Sequence, residues 1–165
     1  MKKINQFTEE EINALKDLFY YNPETGELFR KLKSRLKQTG WTNGHGHLIT
    51  HFRNKMYFVH RIAWAIYYGT NPKEQIDHKN GDGTDNRILN LREATNQQNS
   101  FNTKCFITSK SGIKGVHWHK QIKRWQAQIT INGKKKHLGV FTSKEEAVLA
   151  YQAKAKELHG EFYRP

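Results

Sequence analysis

The chain has 165 residues and carries 28 lysines and arginines against 15 aspartates and glutamates, a formal charge of +13. A surplus of that size favours a polyanionic partner, because cationic side chains release the counterions condensed on nucleic acid. The single cysteine, Cys105, excludes a disulfide framework and a Cys-based zinc site, and no apolar run is long enough to span a membrane.

The lone thiol fits a reducing cytoplasm. The opening "MKKINQFTEEEINALKDLF" starts basic but turns acidic before any apolar stretch, which is not the order of a signal peptide. Residues 9–20 read as a helix, with Ile12, Leu15, Leu18 and Phe19 on one side and Thr8 as N-cap. "YNPETGELFR" reads as a turn entering a strand, punctuated by Pro23 and Gly26. A glycine-rich stretch, "LKQTGWTNGHGHLITHF", leads into a strand at 48–52, and Arg53-Asn54-Lys55 turns the chain into a second at 56–59. His45, His47 and His51 here resemble zinc ligands only by count; a solvated or DNA-facing position is expected for them. Residues 60–68 form a short amphipathic helix on Ile62, Ala63 and Ile66, ended by Gly69, and His60 is expected to cap or pack it.

Residues 75–99, "QIDHKNGDGTDNRILNLREATNQQN", gather acids, amides and one histidine around glycines. An EF-hand needs glycine sixth and glutamate twelfth; counting from Asp77 puts Ile88 at the twelfth place, and counting from Asp82 puts Arg87 at the sixth. Phosphodiester hydrolysis fits the residue types better. His78 is suited to take a proton from water near neutral pH, and Asp77 beside it can give an anionic oxygen to a divalent metal. Neighbours on a strand point oppositely, so one of this pair must sit where the strand breaks into the Gly81/Gly83 loop. Asn90 lies where the chain returns. Thr95 and Gln98 make a capping-box pattern opening a helix from 95 to about 101, and the amide of Asn99 on that helix could complete a site for a hard ion such as Mg²⁺.

"TKCFITSKSG" reads as a linker. Beyond it, strands are expected at 114–119, 125–131 and 134–141, with Asn132-Gly133 as a hairpin turn. The middle strand alternates Trp125, Ala127, Ile129 and Ile131 with Gln126, Gln128 and Thr130, and Trp125 is expected in the core. Thr142 and Glu145 form a capping box for a helix through 158, whose face of Ala147, Val148, Tyr151, Ala155 and Leu158 can cover the sheet. The other sheet face is polar, a surface built to meet something. Charge is distributed to match: residues 1–57 carry ten bases and six acids, 58–108 six and five, 109–165 twelve and four. A nearly neutral centre suits metal chemistry, and basic flanks suit grip.

The stretch "VHRIAWAIYYGTNPKEQIDHKNGDGTDNRILNLREATNQQN" closely resembles the core of phage-type HNH homing endonucleases. That resemblance implies a ββα-metal unit, Asp77 and Asn99 as ligands of one divalent cation, Mg²⁺ or Mn²⁺, and His78 as general base. Asn90 would hold the loop so that the histidine keeps its orientation and tautomer, and Asn96 and Asn102 are rivals for the part of Asn99. Residues 111–163 resemble the AP2 DNA-binding domain in "GIKGVHWHK", "RWQAQITINGKKKHLGVF" and "EEAVLAYQAKAKELHG". This implies a sheet laid in the major groove, with Gln126, Gln128 and Thr130 toward bases, Lys114, Arg124, Lys134, Lys135 and Lys136 on phosphates, and His117, Trp118 and His119 on the first strand. AP2 factors of plants place arginines where this chain has Lys114, His117 and Thr130, so base preference does not carry over. Residues 1–57 resemble the small N-terminal region that accompanies this HNH group, with Lys31, Lys33, Arg35, Lys37 and Arg53 as phosphate contacts.

The expectation is therefore an α+β protein: a β-rich N-terminal unit over 1–57, a ββα-metal core over 58–104, a linker over 105–110 and an AP2-like sheet and helix over 111–165. Its expected action is metal-dependent, site-specific nicking of double-stranded DNA by a monomer. The rivals are a repressor-like DNA-binding protein with a structural core and a nuclease of low specificity.

Overall fold

Thr8 starts the first helix. Its hydroxyl accepts the Glu11 N–H and the Glu11 carboxylate accepts the Thr8 N–H, closing a capping box ahead of α1 (Glu9–Leu18). The helix is shorter than expected because buried Phe19 turns to extended backbone and opens β1 (Phe19–Tyr21). The computed structural model of the protein describes residues 6–102, 112–131 and 133–164. It forms two compact units, Met1–Asn96 and Gln97–Pro165.

In the first unit β1, β2 (Leu28–Lys31) and β3 (Leu36–Thr39) make one antiparallel sheet. A second is made by β4 (Trp41–Thr42), β5 (Leu48–Phe52) and β6 (Lys55–Phe58). Arg53 and Asn54, at φ 45° and 60°, form the tight turn between β5 and β6. Val59, expected at the end of a strand, instead opens α2 (Val59–Tyr68), which Gly69 ends in the left-handed conformation at φ 71°. Then β7 (Gln75–His78) pairs antiparallel with β8 (Leu91–Ala94). Phe7, Leu15, Phe19 and Leu28 share one hydrophobic core with Phe52, Val59, Ile62, Ile76 and Leu91. The segments 1–57 and 58–96 are thus packed on common side chains.

At the boundary between the units lies α3 (Asn96–Asn102). The second unit continues with β9 (Val116–His119), β10 (Arg124–Ile131) and β11 (Lys134–Phe141), ordered β11-β10-β9, and α4 (Lys144–His159). The first strand begins two residues later than expected. Gly115, at φ 68°, approaches so closely that a Cβ there would lie 2.1 Å from the Gln128 carbonyl oxygen and 2.5 Å from the Tyr151 ring. The β10–β11 register passes from Ala127–Gly139 to Gln128–His137 and skips Leu138, a bulge carried by β11, while β10 keeps the expected alternation, with Ala127 and Ile129 buried and Thr130 exposed. Ala147, Tyr151 and Ala155 on α4 are buried with Val116, Ala127 and Ile129, while Trp125 is half-buried beside them. The helix cap is one residue beyond the expected Thr142/Glu145 pair: Ser143 Oγ accepts the Glu146 N–H and Glu146 accepts the Ser143 N–H. The expected linker and Asn132 lie outside the described residues. Among the described residues, no helix is long and apolar enough to cross a membrane.

Candidate functional site

The β7–β8 ladder ends at Asp77 and His78, both 4% exposed. Asp77 faces its cross-strand partner Arg92, whose Nε and Nη2 both reach Oδ2 at 2.8 Å. The pair is buried, so neither charge stands alone in a low-dielectric setting. His78 is the last residue of its strand and meets Asn86, with Nε2 and Oδ1 3.1 Å apart. Asn86 is itself only 1% exposed, and its Nδ2 donates to the Thr84 carbonyl at 3.2 Å. That second bond orients the amide, so Oδ1 accepts and His78 Nε2–H donates. Nδ1 is then the lone-pair nitrogen of the ring. Burial lowers the His78 pKa below the ordinary histidine value, partly opposed by the Asn86 hydrogen bond, and the imidazole is neutral near pH 7.

The loop between the strands is held by its own amides. Asn90 Oδ1 accepts the Asn80 N–H at 3.0 Å, while Nδ2 donates to Asn80 Oδ1 at 3.1 Å and to the Asp85 carbonyl at 2.7 Å. Asn90 therefore ties the two sides of the loop, and Asn86 is the residue that meets the histidine ring. Thr84 donates to Asp82 and Arg87 to Asp85, and these bonds hold both carboxyls below the usual aspartate range. The first sheet braces the far side: Tyr21 Oη donates to the Asn86 carbonyl at 2.7 Å and Ile88 N–H to the Pro23 carbonyl at 3.0 Å. Gly26 sits so tightly here that a Cβ would fall 2.4 Å from Arg87 N.

Three histidines meet at this end of β7. The ring centroids of His47 and His78 are 5.6 Å apart, those of His60 and His78 5.1 Å, and those of His47 and His60 5.8 Å, all edge to face. His60 makes no cap; it is buried, stacked on Phe58 at 5.1 Å, and burial holds its pKa well below the ordinary value. Among the described residues no group of three or more His, Cys, Asp or Glu is arranged to hold a metal. The three rings are packed on one another, not converged as zinc ligands. His45 and His51 are exposed as expected, while His47 is half-buried against the site.

Residues 57–101 match the protein family described as HNH endonuclease. The chain is also similar to Protein 3.8 of Escherichia phage T7, 33% identical over 106 residues that cover 64% of this chain and 87% of that protein. The chain carries an HNH endonuclease domain over residues 57–101. A second relative, the Uncharacterized HNH endonuclease L560 of Acanthamoeba polyphaga mimivirus, is 31% identical over 121 residues, or 73% of this chain and 62% of that protein. No solved structure matches the chain. The HNH segment contains Asp77, His78, Asn86, Asn90 and Asn99; His47 lies outside it.

HNH nucleases act on DNA and generally use a divalent metal. The donor chemistry fits a hard ion of that kind. Asp77 is a buried carboxylate with Arg92 on one oxygen, and Mg²⁺ needs only one or two carboxylates beside waters and substrate phosphate. Asn99 is half-buried and Asn102 buried on α3, and Asn96 is exposed at its start.

The DNA-contact candidates of this HNH chain fall into two sets. Lys33, Arg35, Lys37, Arg124, Lys134, Lys135 and Lys136 are exposed. Others already have internal partners: Lys31 Nζ donates to the Lys16 carbonyl at 2.8 Å, Arg53 pairs with Glu10 at 3.0 Å, and Lys114 Nζ donates to the Phe101 carbonyl at 2.9 Å. On the sheet, His117 Nε2 and Gln126 Oε1 are 3.0 Å apart, and Gln126 Nε2 and His137 Nδ1 2.9 Å apart. Sequence reasoning missed His137, which joins this row only through the β10–β11 register. Trp118 is exposed, its ring 5.4 Å from that of Trp125. Thr130 is exposed, His119 half-buried, and Gln128 half-buried beside the bulge.

Proposed function

We propose that this HNH protein is a homing-type, site-specific endonuclease that nicks double-stranded DNA as a monomer, with His78 as general base. The observation that carries the reading is the buried His78–Asn86 pair beside Asp77. A neutral imidazole whose Nε2–H is committed to an amide presents its other nitrogen to a water. His78 Nδ1 takes that water's proton as the oxygen bonds to phosphorus, and the phosphorus bond to the leaving sugar oxygen breaks. Asp77 and, by the order of residues in the family resemblance, Asn99 would hold a Mg²⁺ or Mn²⁺ ion, which supplies positive charge to the phosphate and leaving oxygens. Asn90 keeps the loop closed around this pair. The exposed sheet face of the second unit, with its His117–Gln126–His137 row and its lysines, supports an AP2-like grip on the duplex.

Run-off sequencing of phage and host DNA incubated with the protein in Mg²⁺ would map the site and the strand. His78→Ala should then lower the rate at which a plasmid carrying that site is relaxed by about 10²–10⁴-fold, while DNA binding persists. Undiminished relaxation by His78→Ala would sink the assignment. Cuts scattered through random DNA would replace the site-specific reading with a degradative one.

A further inference from the structure

His47 stands on the loop between β4 and β5, outside the HNH segment, yet its ring lies against those of His60 and His78. The loop is built to put it there. Asn43 Oδ1 accepts the N–H groups of His45 and His47 at 2.9 and 3.2 Å, and the Asn43 N–H donates to the His47 carbonyl at 2.9 Å. From the other side comes Gly83, where a Cβ would lie 2.4 Å from the Gly46 carbonyl oxygen and 2.7 Å from the His47 ring. The hairpin loop and the loop that follows His78 interlock, and glycine at 83 permits it. His60 and Phe58 support the ring with edge-to-face contacts at 5.8 and 5.6 Å. His60 and His78 are buried whereas His47 is half exposed, so its ring edge is the one a substrate meets beside the base.

Attack on a phosphodiester raises negative charge on the non-bridging oxygens, and positioned N–H donors there lower the barrier. The three cations of residues 75–94 are already engaged: Arg92 on Asp77, Arg87 on Asp85, and Lys79 on the Leu89 carbonyl. His47 brings an N–H donor from a different part of the chain to the side of His78. We propose that His47 is a further catalytic residue, its ring N–H holding a non-bridging oxygen of the scissile phosphate while His78 activates the water. The inference rests on the endonuclease reading above.

Two substitutions separate this role from packing. His47→Phe keeps the ring contacts and loses the donor; His47→Gln keeps a donor and loses the ring. In single-turnover cleavage of a plasmid bearing a site mapped on the wild type, His47→Phe should be slower by about 10²–10³-fold, with Kd for the DNA and melting temperature unchanged. His47→Gln should keep the larger share of the rate. If the site is cut as fast by His47→Phe as by wild type, or if both variants lose rate equally, the proposal is overturned. Failure of the wild type to cut any DNA, with binding intact, would instead remove the endonuclease reading and this inference with it.

Discussion

Each unit of the molecule holds a histidine hydrogen-bonded to a side-chain amide, and the two pairs have nearly the same length. His78 and Asn86 are 3.1 Å apart and buried; His117 and Gln126 are 3.0 Å apart on an exposed face, continuing to His137 at 2.9 Å. The bond length therefore does not decide the role. In the buried pair the amide has a second fixed partner, the ring is desolvated, and one tautomer is selected. On the open sheet, water or a base edge can replace either partner at little cost. The first arrangement suits chemistry at a fixed nitrogen, and the second suits exchange of partners on contact.

If that division holds, variants of the two amides should fail in different ways. Asn86→Ala should have the larger effect. It leaves a buried ring N–H without its partner and frees the imidazole to turn, so single-turnover cleavage should slow by about 10- to 100-fold, the usual cost of removing such an orienting partner, with DNA affinity unchanged. Gln126→Ala should do the reverse. Loss of an amide proposed to read a base should weaken binding to the mapped site by about 1–3 kcal/mol, and the cleavage rate at saturating protein should stay at the wild-type value. A cleavage defect in Gln126→Ala at saturation, or a binding defect in Asn86→Ala, would break the comparison.

The difference between the units also explains what could be read from residue order. The apolar alternation of Trp125, Ala127, Ile129 and Ile131 is a local signal, and the sheet and its helix follow from it. Asp77 and His78 could be singled out because a carboxylate beside a histidine ahead of a glycine-rich loop suits metal-assisted hydrolysis. Asn86 could not. Asn80, Asn86, Asn90 and Asn99 are equivalent in a string of letters, and which of them meets a ring depends on how the loop closes on Tyr21 and Pro23 from far upstream. The place of His47 beside His78 was hidden for the same reason: it depends on the fit of Gly83 against Gly46, a contact between two loops. The helix cap misled at short range. "TSKEE" contains two overlapping Ser/Thr-x-x-Glu patterns, and both leave Ala147, Tyr151 and Ala155 facing the sheet, so the pattern alone cannot choose between Thr142 and Ser143.

A smaller effect, on stability alone, tests whether the buried cluster is as dry as its packing implies. His60 is held below its ordinary pKa first by burial and then by the neighbouring His78 and His47. Above about pH 6.5 neither the folded nor the unfolded chain protonates this ring, and stability does not depend on it. As pH falls below that value the unfolded chain binds a proton that the folded one resists, so stability declines toward the folded pKa. His78 is shifted in the same direction and adds to the slope. In EDTA, the melting temperature of the wild type should therefore drop between pH 7 and pH 5. His60→Phe keeps an aromatic ring against Phe58 but cannot titrate, so its melting temperature should drop less over the same interval. Parallel curves for the two proteins would mean that His60 is hydrated in solution, and the contrast between a dry catalytic corner and an open sheet face would lose its physical basis.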